Sequence, residues 1–286
     1  GRSALKFILL AVAFAATGIG WANLQKGDKM EKVQRKGVDV VIALDLSKSM
    51  LAKDIQPDRL TRAKQLVTRM IDKMQNDRVA LVVFAGRAYL QVPLTIDYSA
   101  MKMMLQNVTP QLIPTQGTVI GEAIGLSMQS FSQKERKYKS LVIISDGEGH
   151  DDNAQAMAQE AAGEGVVIHT VGIGSPDGAT IYDPETKSVK LDEQGQPVVS
   201  KLNEQELKAI AASGKGTYTL LQNTDDAADK IITSIESMEQ RTVKGIDVEY
   251  QTYNSYFQYF LVLALLALII EWVLPGAGKK KEVTIA

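Results

Sequence analysis

Cysteine is absent from the 286 residues, and with it disulfides, thiolate metal ligands and cysteine nucleophiles. The absence leaves the redox compartment open. Histidine is scarce, and neither His150 nor His169 stands in a Ser-His-acid arrangement. Neither sign of charge dominates: 32 basic against 33 acidic residues give a formal −1. That balance excludes wholesale attraction to nucleic acid, so no nucleic-acid partner is expected. No G-x-x-x-x-G-K-[ST] loop occurs, and no G-x-G-x-x-G follows the first apolar strand. ATP and dinucleotides therefore lack their usual cradles. Internal repeats and low-complexity tracts are also missing.

Long apolar runs, by contrast, are present at both ends. From Ala4 to Leu24 only Lys6 and Asn23 are strongly polar, and from Tyr256 to Leu274 only Gln258 and Glu271 interrupt. Each run approaches the ~20 residues a helix needs to cross a bilayer, and Trp21, Tyr256, Tyr259 and Trp272 suit interfacial anchors. The expectation is a transmembrane helix over 1–25 and a second over 256–274. A cleavable signal for the first and a buried or amphipathic helix for the second are the plainer alternatives. Gly18 and Gly20 offer close approach in the first span, and Glu271 a pairing partner in the second. Gly1 in place of an initiator methionine reads as the cut edge of a longer chain. Arg2, Lys6 and Lys279-Lys280-Lys281 favour cytoplasmic ends, with 275–286 as a basic tail, against Lys26, Lys29, Lys32, Arg35 and Lys36 just past the first span. Residues 37–240 are accordingly expected outside the cytoplasmic membrane, between a charged linker at 26–36 and a second linker at 241–255.

The middle alternates strand and helix. Strands are predicted at 38–44, 78–84, 140–145, 166–171 and 216–220, with a short edge partner at 88–92. Arg59 to Met74 carries Leu60, Ala63, Leu66, Val67, Met70, Ile71 and Met74 at helical spacing. Further helices are predicted at 99–108, 119–131, 153–164, 202–212 and 224–238. Apolar strands separated by helices indicate a doubly wound, mostly parallel α/β sheet of Rossmann-like type. The turn-rich stretch 176–201, with PDG, YDPET and DEQGQP around it, reads as a hairpin excursion.

Polar oxygens gather where strands end, the place where open α/β sheets bind ligands. Asp45, Ser47 and Ser49 lie in ALDLSKSM, Thr118 in TQGT before a helix, and Asp146 in SDG after a strand. Two carboxylates and three hydroxyls suit a hard cation, Mg²⁺ first and Mn²⁺ or Ca²⁺ otherwise, with a sixth octahedral position left open. Serine capping and an Asp-Gly turn are the competing readings. Arg87, Tyr89 and Gln116 are candidates for a partner-contacting rim, since loops at this end of a sheet carry binding. Lys48 is expected to point away from the cation. Glu148, His150, Asp151 and Asp152 read as a solvated helix start, and His169 as a packed strand residue.

The pattern D-x-S-x-S at Asp45, Ser47 and Ser49, with Thr118 and Asp146, resembles the metal-ion-dependent adhesion site of von Willebrand factor type A domains, over about 37–240. The flanking spans and the phrases RKGVDVVIALDLSKSM and DRVALVVFAGRAYLQVPLT narrow the resemblance to the membrane-anchored Bat group of aerotolerance operons. It implies that Asp45, Ser47, Ser49, Thr118 and Asp146 hold the metal, some through water. It further implies a bacterial inner membrane location, a periplasmic domain, and partners that include a BatA-like paralogue, a tetratricopeptide-repeat protein and a linked MoxR-type AAA+ ATPase. The expected role is metal-dependent protein interaction, not enzymatic turnover. A purely structural assembly role and a metal-dependent phosphohydrolase are the alternatives. The latter commonly wants a second acid where this chain has Ser47.

Overall fold

A strand covered on both faces must be apolar along its length, and the central strands meet that requirement. The computed structural model describes residues 2–22, 25–32, 37–131, 138–149, 151–183, 188–242 and 249–274. In chain order these form α1 (Arg2–Trp21), β1 (Gln25–Lys32), β2 (Asp39–Asp45), α2 (Arg59–Lys73), β3 (Arg78–Phe84) and β4 (Ala88–Thr95). Next come α3 (Tyr98–Asn107), α4 (Ile120–Ser130), β5 (Lys139–Ser145), α5 (Ala154–Gly163) and β6 (Val166–Gly172). Four short strands follow: β7 (Ala179–Thr180), β8 (Tyr182–Asp183), β9 (Ser188–Val189) and β10 (Val199–Ser200). The chain then runs through α6 (Glu204–Ser213), β11 (Lys215–Leu220), α7 (Thr224–Thr242), β12 (Glu249–Ser255) and α8 (Phe257–Val273). Two compact units result, one of 35–245 and one of 1–34 with 246–286.

In the central unit six strands form one sheet in the order β11-β6-β5-β2-β3-β4. All neighbours are parallel except β3 and β4. Along β2, alternate residues serve opposite faces. Val40, Ile42 and Leu44 join the core beneath α2, α3 and α7, while Val41 and Ala43 join the core beneath α4, α5 and α6. This two-sided burial accounts for the unbroken apolar run. The stripe predicted on α2 is buried as read, and Asp58 caps the helix by accepting the Thr61 N–H. Connections leave β2 toward β3 on one side and return to β5 on the other, which places a topological switch point at the carboxyl ends of β2 and β5. The edge strand β4 runs to Thr95, beyond the expected Val92. Its Pro93 is tolerated because an edge strand has one side that needs no N–H. The excursion consists of two antiparallel pairs, β7 with β10 and β8 with β9.

The terminal unit differs from the sequence expectation. The stretches read as linkers at 26–36 and 241–255 contribute β1 and β12, an antiparallel ribbon registered from Gln25↔Ser255 to Lys32↔Glu249. The reading followed charge, and pairing between segments more than two hundred residues apart leaves no local signal. Within this unit Ala13, Ala16, Ala264 and Ala267 are buried, and a Cβ on Gly20 would lie 3.5 Å from the Phe260 Cβ. Gly18 meets nothing within 4 Å, so only one of the two expected glycines serves close approach. Lys6 pairs with Glu271 at 3.2 Å. Among the described residues one helix segment, Ala4–Trp21, is long and apolar enough to cross a membrane, whereas Phe257–Val273 is a shorter apolar helix. The basic tail 275–286, residues 33–36 of the expected linker and His150 lie outside the described residues.

Candidate metal centre

Asp45 is placed by register: it ends β2 opposite Phe84 of β3, and the neighbouring β5 ends at Ser145. Its Oδ1 accepts the Ser47 N–H at 2.8 Å and its Oδ2 accepts the Ser145 hydroxyl at 2.6 Å. The extended backbone of Ser47 turns the chain into a short 3₁₀ turn, Lys48–Leu51, and brings the Ser47 and Ser49 hydroxyls to 2.8 Å of each other. Asp146, one residue past β5, directs Oδ1 toward the Glu148 N–H at 3.1 Å. Its Oδ2 accepts from Arg59 Nη1 at 2.9 Å. Asp45, Ser47, Ser49 and Asp146 are all buried.

Thr118 arrives on a loop held by backbone contacts. Gly86 N–H donates to the Thr115 carbonyl at 3.0 Å, and Val119 N–H to the Ala85 carbonyl at 2.9 Å. A side chain at Gly86 would strike the Gln116 carbonyl oxygen at 2.4 Å, so glycine permits the approach. On its other side, a Cβ at Gly149 would lie 2.6 Å from the Thr118 Cβ. The Thr118 loop thus sits against both the end of β3 and the loop that follows Asp146.

Burial, reinforced by the nearby charge of Asp146, pushes the Asp45 carboxyl up to about 7, against the hydrogen bonds from Ser145 and Ser47. Two carboxylates held together out of water repel; Arg59 offsets the charge of Asp146, and Asp45 has no cationic partner of its own among the described residues. Among the described residues no group of three His, Cys, Asp or Glu side chains could hold a metal. The donor set is instead two carboxylates with hydroxyls, which fits an oxygen-preferring ion.

Two contributors escaped the sequence reading. Ser145 bridges the centre, donating to Asp45 and accepting the Gly147 N–H at 2.9 Å. Arg59 is fully buried against Asp146. A signal for it existed, since a cation in the first turn of a helix opposes the macrodipole and calls for a nearby anion. Asp151, read as part of a solvated helix start, accepts the Gly121 N–H at 2.7 Å as well as the Asn153 N–H. It fastens the start of α4 to that of α5. Arg87 and Gln116 are exposed on the β3–β4 and α3–α4 loops, and Tyr89 is half exposed on β4. His169 is buried in β6 beside Thr217.

The model of the von Willebrand factor type A domain family matches residues 39–237. The crystal structure of BatB from Bacteroides thetaiotaomicron is 43% identical, with a TM-score of 0.69, and covers 71% of this chain and 100% of its own. An aerotolerance-related membrane protein from Bacteroides fragilis NCTC 9343 is 42% identical with the same TM-score and coverage. An uncharacterised protein of Borreliella burgdorferi is 31% identical over 144 residues, 49% of this chain and 42% of its own. The chain spans less than half of that relative's length and 64% of a UPF0353 protein from Mycolicibacterium gilvum.

Proposed function

The chain belongs to the von Willebrand factor type A domain family over residues 39–237, and from that premise we propose a membrane-anchored, divalent-metal-dependent protein-interaction module of a bacterial envelope complex. One observation carries the reading: Asp45 and Asp146 are buried together at the carboxyl edge of the sheet, with the paired hydroxyls of Ser47 and Ser49 beside Asp45. Asp45, Ser47, Ser49, Thr118 and Asp146 would hold the cation, Mg²⁺ by preference and Mn²⁺ or Ca²⁺ otherwise. When bound, the cation supplies a Lewis-acid position for an acidic side chain of the partner. The protein's own residues hold that arrangement open. The Ser47 N–H and the Ser145 hydroxyl orient Asp45, and Arg59 and the Glu148 N–H orient Asp146. Arg87, Tyr89 and Gln116 would meet the partner around the rim.

Binding is favoured over turnover because Ser47 stands where an aspartyl-phosphate site commonly has a second acid beside the first. Likeness to an aerotolerance-related membrane protein supports a membrane location. In our reading α1 and α8 both span, the ends are cytoplasmic and the domain is periplasmic. Partners of the expected class are a BatA-like paralogue and a tetratricopeptide-repeat protein, with a functional link to a MoxR-type AAA+ ATPase.

Titration calorimetry of the full chain in detergent with MgCl₂ tests the site. The native chain should bind one ion, and Asp45→Ala should lose that binding with an unchanged circular dichroism spectrum. Equal Mg²⁺ binding by the two would refute the assignment.

A further inference from the structure

Arg59 has no exposed surface, although it opens a helix whose dipole disfavours a cation there. Burying a guanidinium costs several kcal/mol unless partners compensate, so its partners explain its place. Nε and Nη2 form a fork on Asp54, at 2.9 and 2.7 Å. Nη1 reaches the Asp146 carboxylate at 2.9 Å and the Ser200 hydroxyl at 2.7 Å, and Nη2 reaches the Ser200 carbonyl at 3.2 Å.

These contacts gather both ends of the excursion at one point. Ser175, before β7, donates its N–H to Asp54 Oδ2 at 2.7 Å, and Ser200 closes β10. Gly174, with φ of +127°, lies flat against the guanidinium: a Cβ there would fall 2.8 Å from Arg59 Cζ. The excursion also bridges to the loop after Ser49 through Ala52↔Ile181, and the Lys53 ammonium sits 4.1 Å from the Tyr182 ring centroid. Its surface presents Val189, Leu191 and Val199 as exposed apolar side chains.

We propose that Arg59 is a positioning residue that ties the described residues of the excursion, 179–183 and 188–200, to the metal centre, so that metal binding and the order of those residues form one coupled equilibrium. The inference rests on the metal-binding reading above. Asp146 is shared between that centre and Nη1, and the same nitrogen holds Ser200, so a preferred carboxylate position passes to the excursion through two short bonds, beside a longer direct bond of 3.4 Å from the Ser200 hydroxyl to Asp146 Oδ2. Asp54 fixes the guanidinium plane with two further bonds, so Arg59 transmits the preference and does not swing away. Coupling of this kind is reciprocal: an ordered excursion favours the metal as the metal favours an ordered excursion.

Hydrogen exchange of the full chain in detergent, with EDTA or saturating MgCl₂, tests the coupling, with Mg²⁺ calorimetry run in parallel. In the native chain Mg²⁺ should slow exchange across 179–183 and 188–200 by about fivefold or more. Arg59→Lys should bring that ratio near one and, because the coupling is reciprocal, should weaken Mg²⁺ binding by a comparable factor. Ser200→Ala, which keeps the carbonyl bond, should fall between, and it decides the matter if Arg59→Lys does not fold. A merely structural Arg59 would raise exchange equally with and without Mg²⁺, and unchanged ratios in the variants would overturn the proposal. A native chain that binds Mg²⁺ without any change over those residues refutes the coupling alone. One that binds no divalent cation refutes the metal reading as well.

Discussion

At Asp45, burial and the charge of Asp146 act in the same direction, and a carboxyl with a usual value of 3.8 is pushed up to about 7. The fold therefore holds this proton more tightly than the unfolded chain does. Without metal, stability falls as pH rises from about 4 to about 7. Asp45→Asn removes the buried charge, so in EDTA at pH 8 the variant should melt above the native chain. A domain of this size shifts roughly 2–4 °C per kcal/mol. In MgCl₂ the order should reverse, and calorimetric scans in both buffers check it. His169 behaves oppositely. Burial lowers it to about 4, its Nδ1 faces Thr217 and its Nε2 has no hydrogen-bond partner among the described residues. Its contribution is complete above about 6.5 and is lost as pH falls toward 4, so His169→Gln should flatten the unfolding free energy over that interval in urea titrations. The motif made Asp45, Ser47, Ser49 and Asp146 legible because they sit at strand ends. Arg59 was legible only in part: its place in the first turn of α2 and the nearby Asp54 hint at a buried pair, but Asp146 and Ser200, which tie it to the centre, lie 87 and 141 residues away.

Elements were read most securely where burial imposes a period. The central parallel strands β2, β3 and β5 carry near-continuous apolar runs because helices cover both faces, whereas the edge strand β11 does not, and α2 shows its stripe because one face meets the sheet. Leu66 lies in that stripe with no exposed surface. Leu66→Ala should cost about 2–5 kcal/mol of unfolding free energy. Asp58→Ala, which removes the cap and the bond from the Thr61 hydroxyl but no core packing, should cost about 0.5–2 kcal/mol. Both are measured by chemical denaturation, and equal costs would contradict the packing described. Most ends of elements shifted by a residue or two, but β4 runs three residues further, to Thr95, and α7 four residues further, to Thr242, since caps and edge pairing set them. The ribbon of β1 and β12 escaped altogether, because its pairing depends on a partner strand at the other end of the chain.

For the whole molecule, the two apolar helices bury small side chains and carry an ion pair, Lys6 with Glu271. Removing either partner leaves the other charge in apolar surroundings, so Lys6→Leu and Glu271→Leu should each lower the melting temperature in detergent. The double variant should recover part of the loss. Additive losses would show that the pair is not coupled. The central claim concerns what the domain grips once anchored. Tagged native chain should be captured from membranes in MgCl₂ and washed with EDTA, and the eluted proteins compared with those from Asp45→Ala. The account predicts a partner that is released by EDTA and absent from the Asp45→Ala capture. A partner retained through EDTA and equally bound by Asp45→Ala would contradict it.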